Sequence, residues 1–278
     1  MKTIYAGMKG KRLFLVPVLL GACLSAAFLF FRGPSQLRNS IEAGHARTLD
    51  QLLGDRPSLA NTRLFLWSDR SHTHWVSPLV FGILQEDAEV VRVLLDHGAD
   101  PDEYHDTMSP LCFSVLYNTQ TNITSMLVCA GAHVDGRCGR SGNTALACAA
   151  SEGKTDFMRT LMALGAGVDV TNRWGQTPLM LAAQAGHTNV LALLIRRGVD
   201  ISAQSSPAAH SLNALAFAAG QGHVGAVQVL LKNGSPGVSN AIRKAKEELA
   251  SSPMISSHAK EDFERILELL HAADVSQD

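Results

Sequence analysis

The chain is 278 residues long, 46% apolar, with 24 Lys and Arg against 25 Asp and Glu. This composition excludes a disordered polyelectrolyte and leaves room for one large domain or two average ones. The near-zero net charge hides an asymmetry. Residues 1–32 hold five bases (Lys2, Lys9, Lys11, Arg12, Arg32) and no acid, leaving 19 bases against 25 acids in the rest. A net acidic body has no general attraction for phosphate backbones, which argues against nucleic-acid binding.

A basic segment, residues 1–12, precedes 19 uncharged residues, Leu13 to Phe31. That run is long enough to cross a bilayer as a helix, and the positive-inside rule places everything after it outside the cytoplasm. Three readings stay open. An uncleaved single-pass anchor is favoured, because the run exceeds the roughly 7–15 apolar residues of a signal-peptide core. Leu20-Gly21-Ala22-Cys23 also resembles a bacterial lipobox with Cys23 as the lipidated residue, although Leu24–Phe31 stays apolar where a mature lipoprotein turns polar. Cleavage near Ser25-Ala26-Ala27 is the third. The expected location is the inner (cytoplasmic) membrane with the body facing the periplasm, the lipoprotein and the cleaved periplasmic form being the alternatives.

After a linker at residues 32–35, a worn first unit spans 36–61, with Gly44-His45 between two short apolar runs. An insertion, Thr62 to Thr73, carries Leu64, Phe65, Leu66 and Trp67, and reads either as a loop pinned by its aromatics or as an arm for a partner. Better units follow at about 72–101 and 104–135. The second of these is one residue longer, in the turn from Asn118 to Thr121. The units at 139–169 and 172–202 are in strict register: Gly142, Thr144, Gly153 and Gly165 recur 33 residues later as Gly175, Thr177, Gly186 and Gly198. In each, a Thr opens a short helix, in the later copy with Pro178 at its first position, where its missing N–H costs nothing. A glycine breaks the chain, and a second helix with i, i+3, i+4 spacing ends at another glycine. A sixth unit, 208–237, repeats Gly222, His223 and Gly234 after a link three residues longer. Residues 238–273 read as a terminal cap, with Phe263, Ile266, Leu267 and Leu270 inward, and 274–278 as a tail.

The 33-residue period, with Thr177-Pro178-Leu179 and Gly186-His187 inside it, closely resembles the ankyrin repeat. The resemblance covers residues 36–273. It implies an all-α solenoid of stacked helix-turn-helix units with β-hairpin tips, and a non-enzymatic module that binds another protein through those tips and the first helices. Carried over by position, the partner-binding residues are Arg173, Trp174, Gln176 and Gln184; Arg140, Asn143 and Glu152; His105, Asp106 and Tyr117; His74; and His210. Trp174 is the sharpest, since aromatic and arginine residues dominate binding hot spots. Arg140 and Arg173 would form a local basic ridge in an acidic protein. The implied role is an inhibitor or immunity protein masking a toxic enzyme, or alternatively a scaffold for an envelope enzyme, with the chain monomeric apart from its partner.

Nothing in the sequence points to chemistry. Eleven histidines are present, yet no HExxH, CxxC or CxxCH spacing appears, and there is no nucleophile elbow, phosphate loop or dinucleotide fingerprint. No cofactor or metal is expected. His187 and His223 read as ring donors to neighbouring turns. Asp100, Asp102, Asp135, Asp169 and Asp200 read as scaffold groups for nearby backbone N–H. Cys112 and Cys148 are expected as small core residues, and whether Cys129 and Cys138, nine residues apart, pair stays open, since geometry decides it and sequence does not give it.

Overall fold

The computed structural model describes residues 34–68, 73–104, 107–117, 119–251 and 257–275. The run from Leu13 to Phe31 with Cys23, and likewise His105 and Asp106, lie outside them. Among the described residues no helix is long and apolar enough to cross a membrane. Two compact units are present, one running to Asp100 together with Tyr117 and Thr119, the other comprising residues 101–116 and those from Gln120 onward.

The first unit opens with α1 (residues 34–42) and α2 (Ala46–Asp55), whose Leu37, Ile41, Leu49 and Leu53 are fully buried. Residues 34 and 35, expected in a linker, are already helical, and Pro34 suits a first turn. A 3-10 turn, Pro57–Asn61, follows. Asn61 donates to the Gly98 carbonyl at 2.9 Å and accepts from Asp100 N–H at 2.8 Å. The insertion is an antiparallel ribbon, β1 (Leu64–Ser68) paired with β2 (Thr73–Val76), with an irregularity between Phe65 and Trp67. Leu64 and Val76 face each other and are buried, whereas Trp75 is exposed. Helices α3 (Pro78–Leu84) and α4 (Ala88–Asp96) complete this unit.

The second unit is a stack of helical pairs: α5 (Pro110–Leu116) with α6 (Thr121–Cys129), α7 (Ala145–Ser151) with α8 (Thr155–Ala163), α9 (Pro178–Gln184) with α10 (Thr188–Arg196), and α11 (Ala214–Gly220) with α12 (Val224–Lys232). Helices α13 (Val238–Ser251) and α14 (Ser257–Val275) close it, each a little longer than the cap its sequence suggested. First helices pack on first helices from α5 to α13, and second helices on second helices from α6 to α14. The inner layer is thin because its buried faces are alanines, among them Ala147, Ala149, Ala182, Ala183, Ala216 and Ala219. Three residues join the two helices of each pair, except between α5 and α6, where four do. The extra residue of the third repeat therefore lies in that turn.

Helix starts follow from side-chain capping. The side-chain oxygens of Ser77, Ser109, Thr144, Thr177 and Asn213 each accept the N–H three residues on, at 3.0–3.3 Å. Such a cap contributes about 1 kcal/mol. The β-hairpin tips expected between repeats are instead turns, with one isolated bridge, Cys138 to Asn143, among the described residues outside the ribbon. At each of the two adjoining tips a backbone hydrogen bond still closes the turn, Cys138 N–H to the Asn143 carbonyl at 2.8 Å and Asn172 N–H to the Gln176 carbonyl at 3.0 Å.

Candidate functional site

The tip of the fifth repeat is organised by one buried carboxamide. Asn172 Oδ1 accepts from the N–H groups of Trp174 at 2.9 Å and Gln176 at 3.0 Å. Its Nδ2 donates to Asn143 Oδ1 at 2.9 Å and to Gln176 Oε1 at 3.0 Å. Every hydrogen-bonding position of the side chain is used, as a buried amide requires. Gly175 then turns at φ +70°, and a Cβ there would lie 2.6 Å from the Ser206 nitrogen. Ser206 N–H donates to the Trp174 carbonyl at 2.8 Å. Ser206 belongs to the lengthened link before repeat six, whose 3-10 turn, Pro207–Ala209, ends at His210 in the left-handed region. Trp174 is thus held at both its N–H and its C=O while its indole stays 46% exposed.

Beside the indole runs a groove of about 550 Å³. Leu181, Leu212 and Phe217 add apolar wall, and Asn143, Gln176, Gln184 and Gln221 line it with carboxamides. Lys244 and Glu248 of α13 contribute a charge pair 3.3 Å apart. The Lys244 stem lies against Gly220, its Cγ 3.0 Å from where a Cβ would stand.

Of the residues carried over by resemblance, Trp174, Gln184, Asn143 and His210 line this groove. Gln176 also lines it but is buried, its side chain bonded to Asn172 and directed to Gln184 at 3.5 Å, so it builds the floor rather than offering a free contact. Arg173 and Arg140 are exposed on adjoining tips, joined where Arg173 N–H donates to the Ser141 carbonyl at 3.0 Å. Arg137 is committed, donating to the Thr171 carbonyl at 2.6 Å. Glu152 caps the end of α7 and does not line the groove. Tyr117 belongs to the first unit, as does His74, which sits on β2. Phe217, Leu212, Lys244 and Glu248 were not foreseen. The small Gly220 at the end of α11 was the one local hint that another element lies close.

The Gly-His steps form a ladder. His187 Nε2 reaches the Ser151 carbonyl at 3.2 Å and His223 Nε2 the Gln184 carbonyl at 3.1 Å, one repeat back each time. Gly186 has φ +74°, and a Cβ on it would sit 2.7 Å from His223 Nδ1. Lys154 replaces histidine in the fourth repeat, and its Nζ donates to the carbonyls of Val115 and Leu116 at 2.5 and 3.0 Å. Phe263 of α14 fills the last such position, its ring 3.4 Å from where a Cβ on Gly222 would lie.

The aspartates hold neighbouring repeats as well as local backbone. Asp135 accepts from Gly167 N–H at 3.0 Å, whereas Asp200 serves Ser202 at 2.8 Å. Asp102 accepts from His133 N–H at 3.1 Å and also bonds the His133 ring, which raises the pKa of that exposed imidazole. The reading of Cys112 as an unbonded core residue is corrected: it pairs with Cys138 in a disulfide, 26 residues apart with Cα atoms 6.6 Å apart, and the open Cys129–Cys138 question is answered, Cys129 being free and exposed. Cys112 is on α5 and Cys138 on the tip beside it, so tertiary packing rather than sequence proximity selects the pair. Cys148 is a buried core thiol, its pKa pushed by burial up to about 11. No group of His, Cys, Asp and Glu among the described residues could hold a metal ion.

Stacked helical pairs with buried alanine faces and residue-for-residue repetition define a helical repeat protein. The chain belongs to the ankyrin-repeat family: the model for ankyrin repeats in three copies matches residues 79–172, 122–205 and 148–241, together more than half of the chain. It is 33% identical over 112 residues to the ankyrin repeat and KH domain-containing protein mask of Drosophila melanogaster, covering 40% of this chain and 3% of that protein. The human ankyrin repeat and KH domain-containing protein 1 is 33% identical over 93 residues, 34% of this chain and 4% of its own. A probable E3 ubiquitin-protein ligase, XBOS31, from Oryza sativa subsp. japonica is 38% identical over 88 residues, 32% of this chain and 19% of that protein. The chain therefore spans less than a fifth of the length of these relatives. Ankyrin repeats make it a protein–protein interaction module, and the family is generally non-enzymatic.

Proposed function

We propose that this module is held at the inner membrane by residues 13–31 with its repeats on the periplasmic side, where it captures a single partner through the Trp174 groove. The observation that carries the reading is the half-exposed indole on a backbone fixed at both ends, since a preorganised aromatic loses little freedom on binding. The Cys112–Cys138 disulfide supports an extracytoplasmic site, because disulfides persist in oxidising compartments. The uncharged run from Leu13 to Phe31 supports the tether, which would raise the effective concentration of a partner at the membrane surface. The role is that of an inhibitor, an immunity protein masking a toxic enzyme, acting as one copy per partner.

Crosslinked capture from membranes, read by mass spectrometry, tests this. The Trp174→Ala/Arg173→Ala double variant is expected to lose one stoichiometric enzyme partner while staying folded. Undiminished capture by that variant overturns the groove reading, and several weakly held partners that stay active favour a scaffold. Leu194→Ala is the contrasting control: the residue is fully buried, so truncation costs about 2–5 kcal/mol and abolishes capture by melting the stack.

A further inference from the structure

Resting on that reading, we infer that the groove takes an extended partner segment carrying an apolar or aromatic side chain flanked by a carboxylate. Three observations carry the chemistry. First, the wall beside the indole is apolar, formed by Leu212 and Phe217, which suits one inserted side chain. Second, Asn143, Gln184 and Gln221 are carboxamides at the groove, and each offers both a donor and an acceptor, as a peptide backbone does. The buried partners Asn172 and Gln176 fix the Asn143 end of this row in place. Third, the charge is one-sided. Lys244 and Glu248 neutralise each other, whereas Arg173, the residue before Trp174, and Arg140, on the tip bonded to it, have no ion-pair or side-chain hydrogen-bond partner among the described residues. Two unpaired, exposed guanidiniums on the tips that carry the groove residues Asn143 and Trp174, in a net acidic body, select a carboxylate, which they can meet in bidentate fashion. They also repel a basic segment, so the pair sets specificity as well as attraction.

The test uses the full-length chain in detergent micelles, panned against a displayed library of random peptides. The expected enriched peptides share an aromatic or large apolar residue with Asp or Glu close by. Their binding should perturb the fluorescence of Trp174 in a Trp67→Phe/Trp75→Phe background. Arg140→Glu/Arg173→Glu should weaken them about tenfold or more, whereas Arg140→Lys/Arg173→Lys, which keeps the charge but loses the bidentate fork, should weaken them by a smaller factor. Circular dichroism of the variants checks that the stack is intact. Enriched peptides without acidic residues, affinity indifferent to the charge reversal, or no enrichment at all overturn the inference. Failure here with Trp174-dependent capture from membranes would leave the groove as the binding site and discard only its occupant's chemistry. Capture indifferent to Trp174 would discard the function itself.

Discussion

Two neighbouring tips occupy the same place in successive repeats and are held by different means. The tip after Arg137 contains two left-handed glycines, Gly139 and Gly142, and is tied down by the Cys112–Cys138 bond and by Gly139 N–H donating to Thr107 O at 2.8 Å. The tip after Thr171 has Asn172 where the other has Gly139, and that one side chain organises it through four hydrogen bonds. A covalent clamp does for a glycine-rich turn what a saturated amide does for its neighbour. The contrast shows that the tip geometry, rather than the particular residues, is what the surface needs.

Removing the clamp should have the largest effect. Cys112→Ser/Cys138→Ser, or reductant on the wild type, is expected to lower stability by about 2–4 kcal/mol, seen as an earlier denaturation midpoint. Asn172→Ala should cost less, about 1–3 kcal/mol, because it leaves Trp174 and Gln176 N–H groups without partners. It should also abolish peptide binding at the groove, while the first substitution weakens it only through Arg140. Equal effects of the two on binding would show that the tips are not independent.

The smallest effect concerns the His133–Asp102 link. Its folded pKa is raised above 6.5 by the Asp102 carboxylate, so its stabilisation is complete below about pH 6.5 and fades as pH rises through the higher folded value. The ring is exposed, so only a slight loss of stability across that window is expected. NMR titration of His133, with Asp102→Asn returning the value to normal, checks it.

The repeat architecture was legible because its signals are local: a capping Thr177, Pro178 at the first position, Gly186 where a neighbour's ring would otherwise collide. Trp174 as an exposed tip residue was legible for the same reason. The disulfide was not, since 26 residues separate its members and only packing of α5 against the adjoining tip chooses Cys138 over Cys129. Nor was the burial of Gln176, whose side chain is taken up by Asn172 and turned toward Gln184. Lys244 and Glu248 were not legible because α13 carries no repeat motif, so no register leads to them.

The ladder through Lys154, His187 and His223 runs one way, each ring or ammonium reaching back to the preceding repeat. Such an array is polar in the way a zip is polar: every unit presents a socket forward and a plug behind. Phe263 occupies the final socket with a ring that has no polar atom to offer onward. The row of polar groups reaching back therefore stops there. A duplicated copy of residues 172–204 inserted ahead of repeat six should therefore be accepted in register, whereas the same copy placed after α14 should find nothing to plug into.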